Sequence, residues 1–187
     1  MWKLFSGGKK SKAGKPAESQ AGAVSLADPG PAPSAAPAPA VQLPGREVYS
    51  GGLEKVIVPD GLLTELDEGG CVTVSGALPG RVASGGKTAG LSFQVSDAVE
   101  LAASGNRIRI HLVTSSETAG EAYLAYSTNE VGNSGWMAFE TGPEARVAVF
   151  EYDVPPMKQG LGDFIGINPN GHRLTIRSIN VEVLGAP

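Results

Sequence analysis

Several short stretches carry residue types that do chemistry elsewhere, and each is decided by its spacing. ASGGKT at 83–88 has the ending of a phosphate-binding loop. The full motif is G-x-x-x-x-G-K-[ST]; counting back from Gly86 puts Arg81 where the first glycine belongs, with Gly80 one place too far. LSFQV follows and reads as a strand, so the helix N-terminus whose amides would hold a phosphate is missing too. GNSGW at 132–136 sets Ser134 between glycines. A nucleophile elbow is G-x-S-x-G on a strand-to-helix turn, whereas here Gly135 follows the serine directly and a strand lies beyond. The two histidines, His111 and His172, have no HxH, HxxxH or HExxH spacing and read as a polar strand residue and a loop residue. Glu151 and Asp153 share one strand face, but without a partner acid across a cleft they read as solvated surface. No catalytic constellation remains, and the chain is expected not to be an enzyme.

The elements that hold these residues are strands. LEKVIV (53–58), CVTVSG (71–76), AGLSFQV (89–95), NRIRIHLVTS (106–115), EAYLAYS (121–127), WMAFE (136–140), ARVAVFEYDV (145–154), DFIGIN (163–168) and RLTIRSINVEVL (173–184) are separated by segments rich in Gly, Ser, Asn and Pro. Many short strands without a helical period predict an all-β sandwich or barrel. VSDAVELAAS (95–104) fits a short helix or a further strand equally well. In NRIRIHLV, Ile108, Ile110 and Leu112 share one face while Arg107, Arg109 and His111 share the other, as one dry and one wet face require. The last strand breaks step: Leu174 and Ile176 are in one phase, Ile179, Val181 and Val183 in the other. A bulge near Arg177–Ser178 would return both sets to the core. NEVGNSGWMAF (129–139) reads as a hairpin turn in which Gly132, Asn133 and Gly135 can take positive φ.

Composition divides the 187 residues near position 45. Residues 1–45 are dominated by Ala, Pro, Gly, Ser and Lys, and a stretch so poor in apolar periodicity is expected to be a disordered tail and linker. Its five lysines face two acids, which leaves ten basic and seventeen acidic side chains, net −7, for residues 46–187. An acidic domain is a poor partner for nucleic acid, whose affinity comes from phosphate neutralisation. Cys71 is the only cysteine, so neither an internal disulfide nor a thiolate cluster can form, and a buried inert thiol is expected. WKLF at 2–5 is interrupted by Lys3 and followed by glycines and lysines, unlike a secretory signal; no apolar run is long enough to span a bilayer, and a cytoplasmic location is the default expectation. Trp2, Leu4 and Phe5 ahead of a flexible spacer form a candidate docking peptide for a protein partner.

The order of elements, and especially the closing DFIGINPNGHRLTIRSINVEVL with Leu174, Ile176, Ile179 and Val181, resembles the galactose-binding-like β-jelly-roll found in many carbohydrate-binding modules. The resemblance covers residues 46–187. It implies a jelly-roll sandwich and a glycan-binding role, with a structural assembly module as the alternative. Jelly-rolls of this type often carry a structural calcium, for which Asp163 or loop carbonyls could serve, although no EF-hand-like spacing supports one; no other cofactor is implied. Glycan sites stack flat aromatics on sugar C–H faces and hydrogen-bond the hydroxyls with polar side chains. The candidates here are Trp136, Tyr123, Arg109, His111 and Asn133, with Tyr123 expected on the wet face that holds Arg109 and His111. Aromatics that follow hairpin turns usually cap a core, so Trp136 is expected to face inward, as is Tyr126, which is in phase with Leu124.

Overall fold

The structure, a computed structural model, describes residues 42–78, 90–128, 132–158 and 162–187. ASGGKT and the tail through residue 41, with Trp2, Leu4 and Phe5, lie outside the described residues. The compact unit runs from Val41 to Pro187.

The chain forms strands β1 (Arg46–Tyr49), β2 (Val56–Ile57), β3 (Leu63–Leu66), β4 (Val72–Ser75) and β5 (Leu91–Gln94), then helix α1 (Asp97–Ala103). After the helix come β6 (Arg107–Ser116), β7 (Gly120–Thr128), β8 (Gly132–Asn133), β9 (Met137–Thr141), β10 (Arg146–Asp153), β11 (Phe164–Asn168) and β12 (Leu174–Gly185). They make two antiparallel six-stranded sheets. The first runs β10-β6-β12-β4-β3 with β1 also on β12; the second runs β2-β5-β11-β7-β8 with β9 also on β7. This is a β-sandwich, as the strand pattern predicted, with the jelly-roll architecture that the resemblance implied. The ambiguous segment after β5 is helical, and its buried Val99 and Ala103 are one helical turn apart.

The core fills the space between the sheets. Ile108, Ile110 and Leu112 of the first sheet face Leu91, Leu124, Ile165 and Ile167 of the second, all fully buried. In β12 the register against β6 shifts between Ile176, which faces Thr114, and Ser178, which faces Val113, so Arg177 is the extra residue. Leu174, Ile176 and Ile179 are all fully buried as a result. Tyr126 is also fully buried, as its phase with Leu124 demands. β1, β3 and β8 carry no burial pattern that alternation could detect: Leu63 and Leu66 of β3 are 73% and 48% exposed.

A polar knot closes the sandwich near α1. The Tyr126 hydroxyl donates to Asp163 Oδ2 at 2.5 Å, and the Asp163 amide donates to Glu100 Oε2 at 3.3 Å. Both carboxyls are nearly inaccessible to water. Desolvation, opposed by the Tyr126 hydrogen bond and reinforced by the Glu100 charge, pushes the Asp163 carboxyl up to about 6. The folded state therefore holds this proton more tightly than the unfolded chain. The group favours folding at low pH, and that contribution is lost as pH rises from about 4 to above 6, by roughly 3 kcal/mol for a shift of this size. Asp163→Asn keeps an acceptor for Tyr126 and cannot ionise. Denaturant unfolding across that window should show the wild-type stability falling relative to the variant as pH rises; a constant difference would mean that Asp163 does not titrate as described.

Candidate functional site

Strand β7 has the alternation of a strand with one face in the core: Ala122, Leu124 and Tyr126 point inward, and Tyr123, Ala125 and Ser127 point outward. On one side it pairs with β11, setting Asn168, Gly166 and Phe164 beside these three outward residues in turn. Gly166 in turn faces Ser92 of β5. The middle row of the outer face, Ser92–Gly166–Ala125, thus has almost nothing beyond Cβ. It lies between taller rows about 7 Å away along the strands, Phe164–Ser127–Asn133 above and Asn168–Tyr123–Ala138 below. This part of the face is closed to water: Ser92, Ala125 and Ser127 are at most 1% exposed, Asn168 2% and Phe164 8%. The rim along the β7–β9 edge is open: Glu121, Ala138 and Glu140 are exposed and Tyr123 is half-buried.

Trp136 immediately precedes this edge. Met137, which faces Leu124, packs against the core, so alternation within β9 turns Ala138 outward. Trp136 takes no part in the core cluster, contrary to the expectation that it caps the core. Its ring is half-buried, and its Nε1–H is buried with no hydrogen-bond partner. An indole donor left unmatched in this way costs free energy unless a ligand or water completes it. The turn ahead of it is built by local bonds. Ser134 Oγ accepts from the Tyr126 amide at 2.9 Å and donates to Gly135 O, which gives this serine a structural role. Asn133 Oδ1 accepts from the Gly135 amide at 3.0 Å, and Gly132 and Gly135 have positive φ, which only glycine adopts without strain.

Two further residues at the rim were not singled out from the sequence. The Tyr123 hydroxyl donates to Glu121 Oε1 at 2.6 Å, and that bond to an anion raises the phenol above its ordinary range. Asn170, with φ of 53°, donates from Nδ2 to Glu121 O. The i, i+2 spacing of Glu121 and Tyr123 was available as a signal, because alternation puts both on one face.

Arg109 and His111 do not join this group. They lie on the outer face of the first sheet, across the core from Tyr123, because β6 and β7 belong to different sheets. Both are engaged there. Arg109 bonds Glu151 at 2.6 Å and reaches Glu182 at 3.5 Å; His111 Nε2 lies 3.3 Å from Glu182, and Arg107 holds Asp153 at 2.6 Å and below the usual carboxylate range. Such exposed pairs contribute little stability each. They do leave Arg107, Arg109 and His111 already engaged by carboxylates. Nor does Asp163 fit a calcium site: its Oδ2 is taken by Tyr126, and among the described residues no three His, Cys, Asp or Glu side chains converge.

No protein-family model matches the sequence. No curated protein is a significant match either. The fold does have solved counterparts. The CBM22-1 xylan-binding domain from Paenibacillus barcinonensis Xyn10C superposes with a TM-score of 0.51 at 7% identity, over 76% of this chain and 94% of that one. The C-terminal family 22 carbohydrate binding module of Clostridium thermocellum Xyn10B gives 0.48 at 10% identity, over 75% and 95%. The CBM6cm-2 module from Cellvibrio mixtus lichenase 5A gives 0.44 at 14%, over 73% and 97%. At these identities the likeness is one of fold: the chain has the β-jelly-roll architecture of carbohydrate-binding modules. Among the described residues no helix is long and apolar enough to cross a membrane.

If the Glu121 carboxylate is what raises the Tyr123 phenol, Glu121→Gln should bring that titration back toward the ordinary tyrosine range. A pH titration of ring-labelled tyrosine by NMR reads this directly, and an unmoved Tyr123 curve would break the link.

Proposed function

We propose that the domain is a non-catalytic module that binds a glycan along the open rim of the second sheet. Trp136 and Tyr123 would stack on sugar faces, and Asn133, Asn170 and Glu121 would be in place for hydroxyls. The observation that carries this reading is the state of Trp136: an aromatic ring held outside the core with a buried N–H that has no partner. A ring whose role was to fill the core would be among the packed residues, and an unmatched buried donor calls for a partner that a bound molecule or water would supply. An aromatic face combined with an adjacent donor is what a pyranose, with its apolar C–H face and ring of hydroxyls, complements. The shared fold with a xylan-binding domain supports the ligand class. The absence of any catalytic spacing in the sequence supports binding without chemistry.

The outer face of the first sheet is the internal control, because its Arg107 and Arg109 are matched by carboxylates. Titration calorimetry of the full chain against xylan, mixed-linkage β-glucan and galactan should find at least one that binds. Trp136→Ala should weaken that binding by about tenfold or more, equivalent to about 1.4 kcal/mol, while Arg109→Ala leaves it unchanged. Binding to none of these polymers, or binding indifferent to Trp136, would end the proposal.

A further inference from the structure

At the opposite edge of the second sheet the chain changes sheets. β1 is bonded to β12 in the first sheet and β2 to β5 in the second, so residues 50–55 bridge from one layer to the other. Beneath this crossing Tyr49 and Phe93 meet edge to face with ring centroids 4.8 Å apart. Tyr49 is fixed there by its hydroxyl, which accepts from the Val72 amide at 2.9 Å. A cavity of about 390 Å³ opens under the crossing, lined by Glu47, Ser50, Glu54, Lys55, Val56 and Phe93 among others. The chain turns at Gly51–Gly52, both with positive φ, and the 2.8 Å bond from the Gly52 amide to Gly70 O ties the crossing to the loop between β3 and β4.

The chemistry of the lining is mixed in a specific way. Val56 and Phe93 supply an apolar wall. Ser50 Oγ donates to Glu47 Oε1 at 2.7 Å, which fixes that carboxylate and leaves its second oxygen as an acceptor. Glu54 and Lys55 are exposed, and neither joins any ion pair among the described residues. The mouth therefore offers two anionic acceptors and one cationic donor around an apolar wall. An anion would meet both carboxylates, and a small cation would meet Lys55 and leave the apolar wall unused. A neutral molecule with several hydroxyls and an apolar face uses all of these groups. The volume lies at the low end of the range for small-molecule sites, the size of a short sugar rather than a chain threading through.

We infer that this cavity is a second binding site, distinct from the Trp136 rim, and that it takes a neutral polyhydroxylated ligand of one or two sugar units. The inference does not rest on the rim reading, because the two sites lie at opposite edges of one sheet. The test is amide NMR of the full chain titrated separately with galactose, xylobiose and cellobiose, and in control arms with ethanolamine and with inorganic phosphate. At least one neutral sugar should shift the amides of residues 47–56 and of Phe93 saturably. Glu54→Ala combined with Lys55→Ala, both exposed positions, should weaken that response by about tenfold or more without disturbing amides elsewhere. Trp136→Ala should leave it intact. Silence of these amides toward all three sugars, a response confined to ethanolamine or phosphate, or a sugar response unchanged in the double variant would each overturn the inference. A loss caused by Trp136→Ala alone would also overturn it, while leaving the rim reading in place.

Discussion

Strand β12 has to bury two sets of apolar residues that are out of phase with each other, and a strand whose side chains alternate strictly can bury only one. The extra residue at Arg177 resolves the conflict. On one side β12 stays bonded to β6 along almost its whole length; on the other it bonds β4 before the bulge and β1 after it. The first sheet therefore turns at this point, and the chain that leaves β1 is directed across the edge of the sandwich to β2. The polarity of both outer faces follows from which residues this arrangement draws inward.

One consequence is a division of labour between the faces. On the first sheet, β6 is flanked by β10 and β12, and the register sets Arg107 opposite Asp153 and Arg109 between Glu151 and Glu182. Charge is matched locally on that face. On the second sheet the middle outward row is serine, glycine and alanine, flanked on β11 by the buried Phe164 and Asn168, and the exposed outward groups stand at the β7–β9 edge. An aromatic at that edge can be reached from solvent without opening the core. Exposed side chains at that edge are thus separated from packing by the pleat of single strands.

Much of this architecture was legible from alternation. The face shared by Ile108, Ile110 and Leu112, the inward Tyr126 and the bulge at Arg177 all follow from period-2 patterns of buried side chains, and each is present. β3 was not legible because its leucines stay exposed, so burial left no pattern to read, and β2 and β8 are two residues each. The candidate site was legible only in part. Alternation shows that Arg109 and His111 share a face and that Tyr123 is turned away from Leu124. It says nothing about which sheet each strand joins, so residues of opposite faces were grouped together. The place of Trp136 was not legible for a related reason: the frequent role of aromatics after hairpins concerns the turn alone, and the structure leaves Trp136 half-buried and outside the core cluster.

The claim on which the functional account turns is that the Trp136 ring, whose buried indole N–H has no partner, belongs to the ligand-binding rim. The indole proton resonance, followed in the full chain as a polysaccharide that binds is added, tests this most directly. The account predicts a saturable shift of the Trp136 indole signal together with the amides of Tyr123 and Ala138, and none at Arg109 or His111. A titration in which binding is complete while the Trp136 indole signal stays fixed, or in which the shifts map to the face of Arg109 and His111, would contradict it.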